Sequence, residues 1–130
     1  MNQLSGSSQL NNLLANMNIQ EDFPISILTD AQGLTIAWAA SEGIDPERQS
    51  AVVAFVQKTA VQVSRQLGMA STDEISLFDA NGQKLVCRPF TIDNDTMILA
   101  VMVADRNNSY RRVTNHAIHE IRRIWKIFWK

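Results

Sequence analysis

Apolar positions along the chain follow two rhythms, one of period two and one near period 3.6, and the switches between them mark the elements. After a polar, serine-rich start, Leu10, Leu13, Leu14 and Met17 recur at helical spacing. Residues 1–8 therefore read as a flexible tail, with Ser7 or Ser8 able to cap a short first helix that needs a surface to dock on. Phe23 to Leu28 and Leu34 to Ala40 read as strands flanking Thr29-Asp30-Ala31-Gln32-Gly33, where Gly33 can take positive φ, so this stretch predicts a β-hairpin. Asp45, Pro46 and Glu47 give the clearest helix start in the chain. Val52, Val56, Thr59, Val63 and Leu67 line one face of that helix, Val53, Phe55 and Ala60 its shoulders, and Gly68 its end. Ala54, Lys58, Val61 and Arg65 fall on the opposite face, which carries more apolar surface than a solvated face requires.

Glu74 to Phe78 reads as a third strand, joined through Asp79-Ala80-Asn81-Gly82 to a fourth over Lys84 to Phe90. Asp93-Asn94-Asp95 turns the chain into a fifth, Thr96 to Ala104, whose unbroken apolar run Met97 to Val103 suits the middle of a sheet covered on both sides. Pro89 is awkward inside the fourth strand, because it removes a ladder donor, and predicts a bulge or a strand end. Arg106 to Ser109 forms a polar break, and Ser109 can cap a last helix whose core face carries Tyr110, Val113, Ala117, Ile121, Ile124 and Phe128. The order α-β-β-α-β-β-β-α predicts an α+β domain over residues 9–130: a five-stranded antiparallel sheet sandwiched between helices.

Composition narrows the function classes. Hydrophobic residues at 45% and charged residues at 19% of 130 positions supply a real core and exclude a disordered chain. A formal net charge of -1 gives no global attraction to nucleic acid or to anionic membranes. One cysteine, Cys87, excludes an internal disulfide framework. The N-terminus lacks the pattern of a secretion signal and no apolar run approaches the roughly 20 residues that span a bilayer. The expectation is a cytoplasmic protein.

Candidate chemistry is sparse. The sequence holds neither a GxxxxGK[ST] phosphate loop, nor GxGxxG, nor a CxxC pair. His116 and His119 are spaced to share a helix face, but with no evident third ligand they read as surface histidines, and no metal is expected. Cys87 next to Arg88 could be an activated thiol, yet a strand cysteine is more often a small buried hydrophobe. Asp93, Asn94 and Asp95 lack the other positions of an EF-hand and read as a turn, as does Asp30. The C-terminal run Ile121-Arg122-Arg123-Ile124-Trp125-Lys126-Ile127-Phe128-Trp129-Lys130 mixes aromatics with cations. An amphipathic helix packed on the sheet, with Trp125 and Trp129 at its rim, accounts for it better than a membrane anchor. Arg111, Arg112, Arg122 and Arg123 read as a solvated face and not as a nucleic-acid contact. No nucleophile, base and orienting group can be assembled, so no enzyme, catalytic residue or cofactor is expected.

The element order, together with the hairpin Ile27-Leu28-Thr29-Asp30-Ala31-Gln32-Gly33-Leu34-Thr35-Ile36-Ala37 and the apolar strand Val101-Met102-Val103-Ala104 before a polar break and long last helix, resembles the roadblock/dynein light-chain family over nearly the whole chain. The resemblance implies that the third strand lies at a sheet edge, that two subunits pair there into one sheet, and that the second helices pack side by side. It also implies a partner: members of the family act as dynein light chains, as scaffolds for GTPases, and as regulators of small Ras-like GTPases. The expected dimer surface is Ile75, Leu77 and Phe78 with Val53, Gln57 and Ala60; the expected GTPase surface is Ala54, Lys58, Val61 and Arg65. The residues support the dimer separately, since an apolar edge strand free of Lys and Pro invites pairing. The competing reading, a small-molecule sensor of PAS or GAF type, needs an interior pocket, which the apolar run Met97 to Val103 disfavours.

Overall fold

The computed structural model describes residues 5–105 and 107–129. Part of the expected tail, residues 1–4, lies outside the described residues, as does Arg106 of the polar break. The first helix begins earlier than its hydrophobic pattern suggested. Ser5, not Ser7 or Ser8, is the cap: its hydroxyl accepts from the Ser8 amide at 3.1 Å, and α1 runs Gly6–Glu21. It ends where Asp22 turns left-handed at φ 58. The strands β1 (Ile25–Asp30) and β2 (Thr35–Ala40) follow, then α2 (Pro46–Gln66), β3 (Ile75–Phe78), β4 (Lys84–Ile92), β5 (Asp95–Val103) and α3 (Arg111–Phe128). Asp45 caps α2 as its sequence requires, accepting from the amides of Glu47 and Arg48. Ser109 does not cap α3. Tyr110 occupies that boundary with no side-chain cap, and its hydroxyl instead donates to Glu74.

The five strands are ordered β2-β1-β5-β4-β3, every neighbouring pair antiparallel. The α+β layout is therefore the expected one, with β5 at the centre and β3 at an edge. Two hairpin turns share one device. The Asp30 carboxylate accepts from the Gln32 and Leu34 amides, and that of Asp79 from Asn81 and Gln83, each at 2.9 Å. Each turn then passes through a glycine at positive φ, Gly33 at +93° and Gly82 at +87°. Gly33 has a second constraint: a Cβ there would sit 3.3 Å from the backbone of Ala51, because the turn abuts the start of α2.

Pro89 causes neither bulge nor break. β4 runs straight through it, with Pro89 opposite Ile98 of β5. The reason lies in the other neighbour. β3 covers β4 only from Lys84 to Cys87, so the remainder of β4 is itself an open edge. Backbone groups alternate sides along an antiparallel strand, and counting back from the tight Ile92–Asp95 pair puts the Pro89 nitrogen on that open side, where no ladder bond is lost.

The sheet divides the interior unevenly. On one face α1 and α3 enclose the main core, built from Leu10, Leu14, Leu28, Leu99, Val101, Ile121 and Ile124 with their neighbours. On the other, α2 alone covers a small cluster of Val53, Cys87, Ile98 and Ala100. The C-terminal aromatics belong to the first face. Trp125 packs on the main core, Trp129 stacks on Trp125 with centroids 4.5 Å apart, and Trp129 closes over the start of α1 at Gly6. Phe128, expected in the core, is half-exposed beside this stack.

Candidate functional site

The side of α2 that meets the sheet is not the side its periodicity favours. Ser50, Val53, Ala54 and Gln57 are the buried positions, and Ser50 is held at 2.6 Å by the hydroxyl of Thr35. Small and polar residues let α2 approach the sheet closely. The larger apolar residues point away: Val52 is 49% exposed, Phe55 70%, Val63 50% and Leu67 69%. At 100° per residue these positions form one outward stripe. Scattered single apolar residues are ordinary on a protein surface, but a contiguous stripe of them is not.

The stripe corrects part of the expected interfaces. Val53 and Gln57, placed by the sequence on a dimer surface, are buried against the chain's own sheet, and so is Ala54, placed on a GTPase surface. Ala60 and Val61 are half-buried; Lys58 and Arg65 are exposed. The strand residues lie as expected. β3 is a sheet edge, Ile75 is half-buried, and Leu77 and Phe78 are 51% and 61% exposed. Leu77 opposes Leu85, and Ile75 opposes Cys87, so the apolar residues of β3 on that side continue the α2 face of the sheet. Trp38, paired with Ile27 on β1, extends the same face at the far edge and is 40% exposed.

β3 is fastened to the rest of the molecule by polar contacts at its start. Arg111 of α3 bridges Asp73 at 2.9 Å and Glu74 at 2.6 Å. Burial alone would raise the Glu74 pKa, but hydrogen bonds from Tyr110, Arg111 and Ser76 outweigh it and hold the carboxyl below its ordinary value. Burial and the same contact push the Tyr110 phenol upward. At the other end of β3, the Lys84 ammonium lies over the rings of Tyr110 and Phe78, at 4.2 and 5.7 Å.

Cys87 is buried, and burial pushes its thiol up to about 12, so it is a packing residue. His116 and His119 are exposed on α3, and no group of three metal-ligating side chains occurs among the described residues. Asp93 and Asn94 form the tight turn between β4 and β5. No described helix is long and apolar enough to cross a membrane.

This arrangement, a five-stranded antiparallel sheet with two helices on one face and a single helix beside an open third strand on the other, is the roadblock/LC7 fold. Solved proteins share it across nearly their whole length. Myxococcus xanthus MglB superposes with a TM-score of 0.78 at 16% identity, covering 100% of this chain and 96% of its own. The gliding protein MglB of Thermus thermophilus gives 0.74 at 13% identity, over 98% and 96%. A roadblock/LC7 domain from Streptomyces avermitilis gives 0.69 at 10% identity, over 91% and 95%. No family model and no curated protein matches the sequence.

Proposed function

We propose that this chain is a non-enzymatic adaptor that pairs with a second copy of itself and binds a Ras-like small GTPase. One observation carries the reading: an unpaired strand edge and an outward apolar helix stripe occur together in one fold. Four residues of β3 make too short a ladder to hold two proteins together, since stable interfaces bury about 1,200–2,000 Å². The stripe supplies the rest. Antiparallel pairing of two β3 edges through Ile75, Leu77 and Phe78 joins the sheets and brings Val52, Phe55 and Val63 of one α2 against those of its mate. The fold likeness to MglB supports self-association, since one MglB is solved in a tetrameric arrangement.

The other flank of α2, with Lys58, Val61 and Arg65, stays open in such a dimer and is the proposed GTPase surface. Arg65 is the arginine on that flank. An arginine finger is worth about 10³–10⁵ in rate; here we assign stimulation to ordering of the GTPase's own residues, with Arg65 a binding contact. The test has two stages. Light scattering at micromolar concentration should give a dimer, and a clean monomer would remove the proposal. Capture of a GTP-loaded small GTPase should then be lost in the Lys58→Glu, Arg65→Glu double variant while the dimer persists. Arg65→Ala should keep the maximal hydrolysis rate at saturating adaptor; a rate collapse would make Arg65 a finger.

A further inference from the structure

Where β3 stops short, β4 borders an open cleft of about 860 Å³ between the C-terminal half of α2 and the middle of α3. Its walls carry Arg65, Arg88 and Arg122 together with His119, against a single carboxylate among the described residues, Asp73. On a chain of net charge -1 this is a concentrated positive site. Arg88 is the unusual member. It is 7% exposed, and its Nη1 donates to the Thr114 hydroxyl at 2.7 Å while its Nε is left unpartnered. The carboxylates that influence it electrostatically, Asp73 and Glu74, are both taken by Arg111. A buried guanidinium with no carboxylate in contact is costly and calls for an anion. The buried Gln57 side chain, 9% exposed, lines the same cleft with its Oε1 also unpartnered.

We propose that this cleft binds a small oxyanion-bearing solute, a phosphate or carboxylate compound, with Arg88 as its buried anchor and Arg122 at its rim. Guanidinium groups suit such anions because their planar donors match two oxygens at once. A peptide strand is a poorer fit to the same opening. Pro89 offers no N–H, and the Thr91 carbonyl already accepts from Arg122 Nε at 3.2 Å, so this stretch of edge cannot extend the ladder. The cleft shares Val61 and Arg65 with the proposed GTPase surface, but its anchor Arg88 belongs to β4 and faces α3, so anion binding is tested with no GTPase present.

The test is titration of the full chain with inorganic phosphate and, separately, with succinate, at constant ionic strength set by sodium chloride. The arginine Nε–H signals are followed by ¹⁵N NMR. The expected result is a saturable shift of the Arg88 and Arg122 Nε–H signals with one of the two probes, which also tells phosphate from carboxylate. Arg122→Gln, an exposed change that leaves the core alone, should weaken that binding roughly tenfold. Arg88→Gln should abolish it; if that variant does not fold, Arg122→Gln still decides. Silence at Arg88 with both probes, equal movement with chloride, or unchanged affinity in Arg122→Gln would overturn the site.

Discussion

The two faces of the sheet are finished to different standards. The face under α1 and α3 is closed: Leu10, Leu28, Leu99 and Ile121 are fully buried, and Trp129 seals its margin against Gly6. The face under α2 is left open, with a small inner cluster and Phe55, Leu77 and Val63 at least half-exposed. The closed face fixes the fold of one chain. The open face carries apolar area that one chain does not bury, and an isolated protomer retains that cost until a partner covers it.

Substitutions on the two faces should therefore fail in different ways. Ile121→Ala on the closed face removes a fully buried side chain and should cost about 2–5 kcal/mol of unfolding free energy. Denaturant melts should show that loss equally at low and high protein concentration. Phe55→Asp on the open face should leave the protomer's fold intact and raise the dimer dissociation constant about 30-fold or more, as loss of an aromatic anchor does. Its melting temperature should then stop rising with protein concentration, whereas the unsubstituted chain's should rise. If Phe55→Asp unfolds the protomer, or if Ile121→Ala acts only through the dimer, the contrast between the faces is wrong.

A smaller effect tests the seal itself. A Cβ at Gly6 would stand 2.5 Å from the ring of Trp129 and 2.8 Å from Cβ of Phe128. The ring can swing away, but Phe128 Cβ is fixed to the helix, so the helix-forming advantage of alanine does not offset the crowding. Gly6→Ala should cost about 1 kcal/mol and weaken the near-ultraviolet circular dichroism of the Trp125–Trp129 stack. In a Trp129→Ala background most of the cost should remain, because Phe128 Cβ still stands 2.8 Å away.

The closed face is largely legible from sequence and the open one is not, for a physical reason. β5 shows its central place because a strand covered twice must be apolar throughout, and Asp30 and Asp79 announce their turns because such short carboxylates can hold the turn amides. For α2, periodicity assigns the more apolar side to the core. Here that rule points the wrong way, since Ser50, Ala54 and Gln57 face the sheet while Val52, Phe55 and Val63 face out. A helix apolar on more than one side makes two demands, and one sequence period cannot say which is met within the chain. Pro89 misleads for a related reason. A proline within a strand reads as a break until the neighbouring strand is seen to stop short of it. The cleft leaves only a faint trace, a lone arginine within the run Leu85-Val86-Cys87-Arg88, where a strand buried on both faces has no use for a charge.

The finest probe of the contrast lies where the two faces are tied together, at Glu74. This carboxylate opens the exposed edge strand, yet Tyr110 and Arg111 come from the helix of the closed face. Its pKa is lowered on folding, so the charged form is the one the fold stabilises. The contribution is then fully present above the unfolded carboxylate's value of about 4.3, and is lost as pH falls through the lower folded value. Glu74→Gln should destabilise modestly at pH 7, because Arg111 is half-exposed and its attraction is screened. The difference from the unsubstituted chain should shrink as the pH falls below about 4.3. Hydrogen exchange should place the loss locally, with the Ile75–Phe78 amides opening faster while those of β5 are unmoved. Uniform acceleration across the sheet would mean that the edge strand is no separate unit, and that the open face is held as firmly as the closed one.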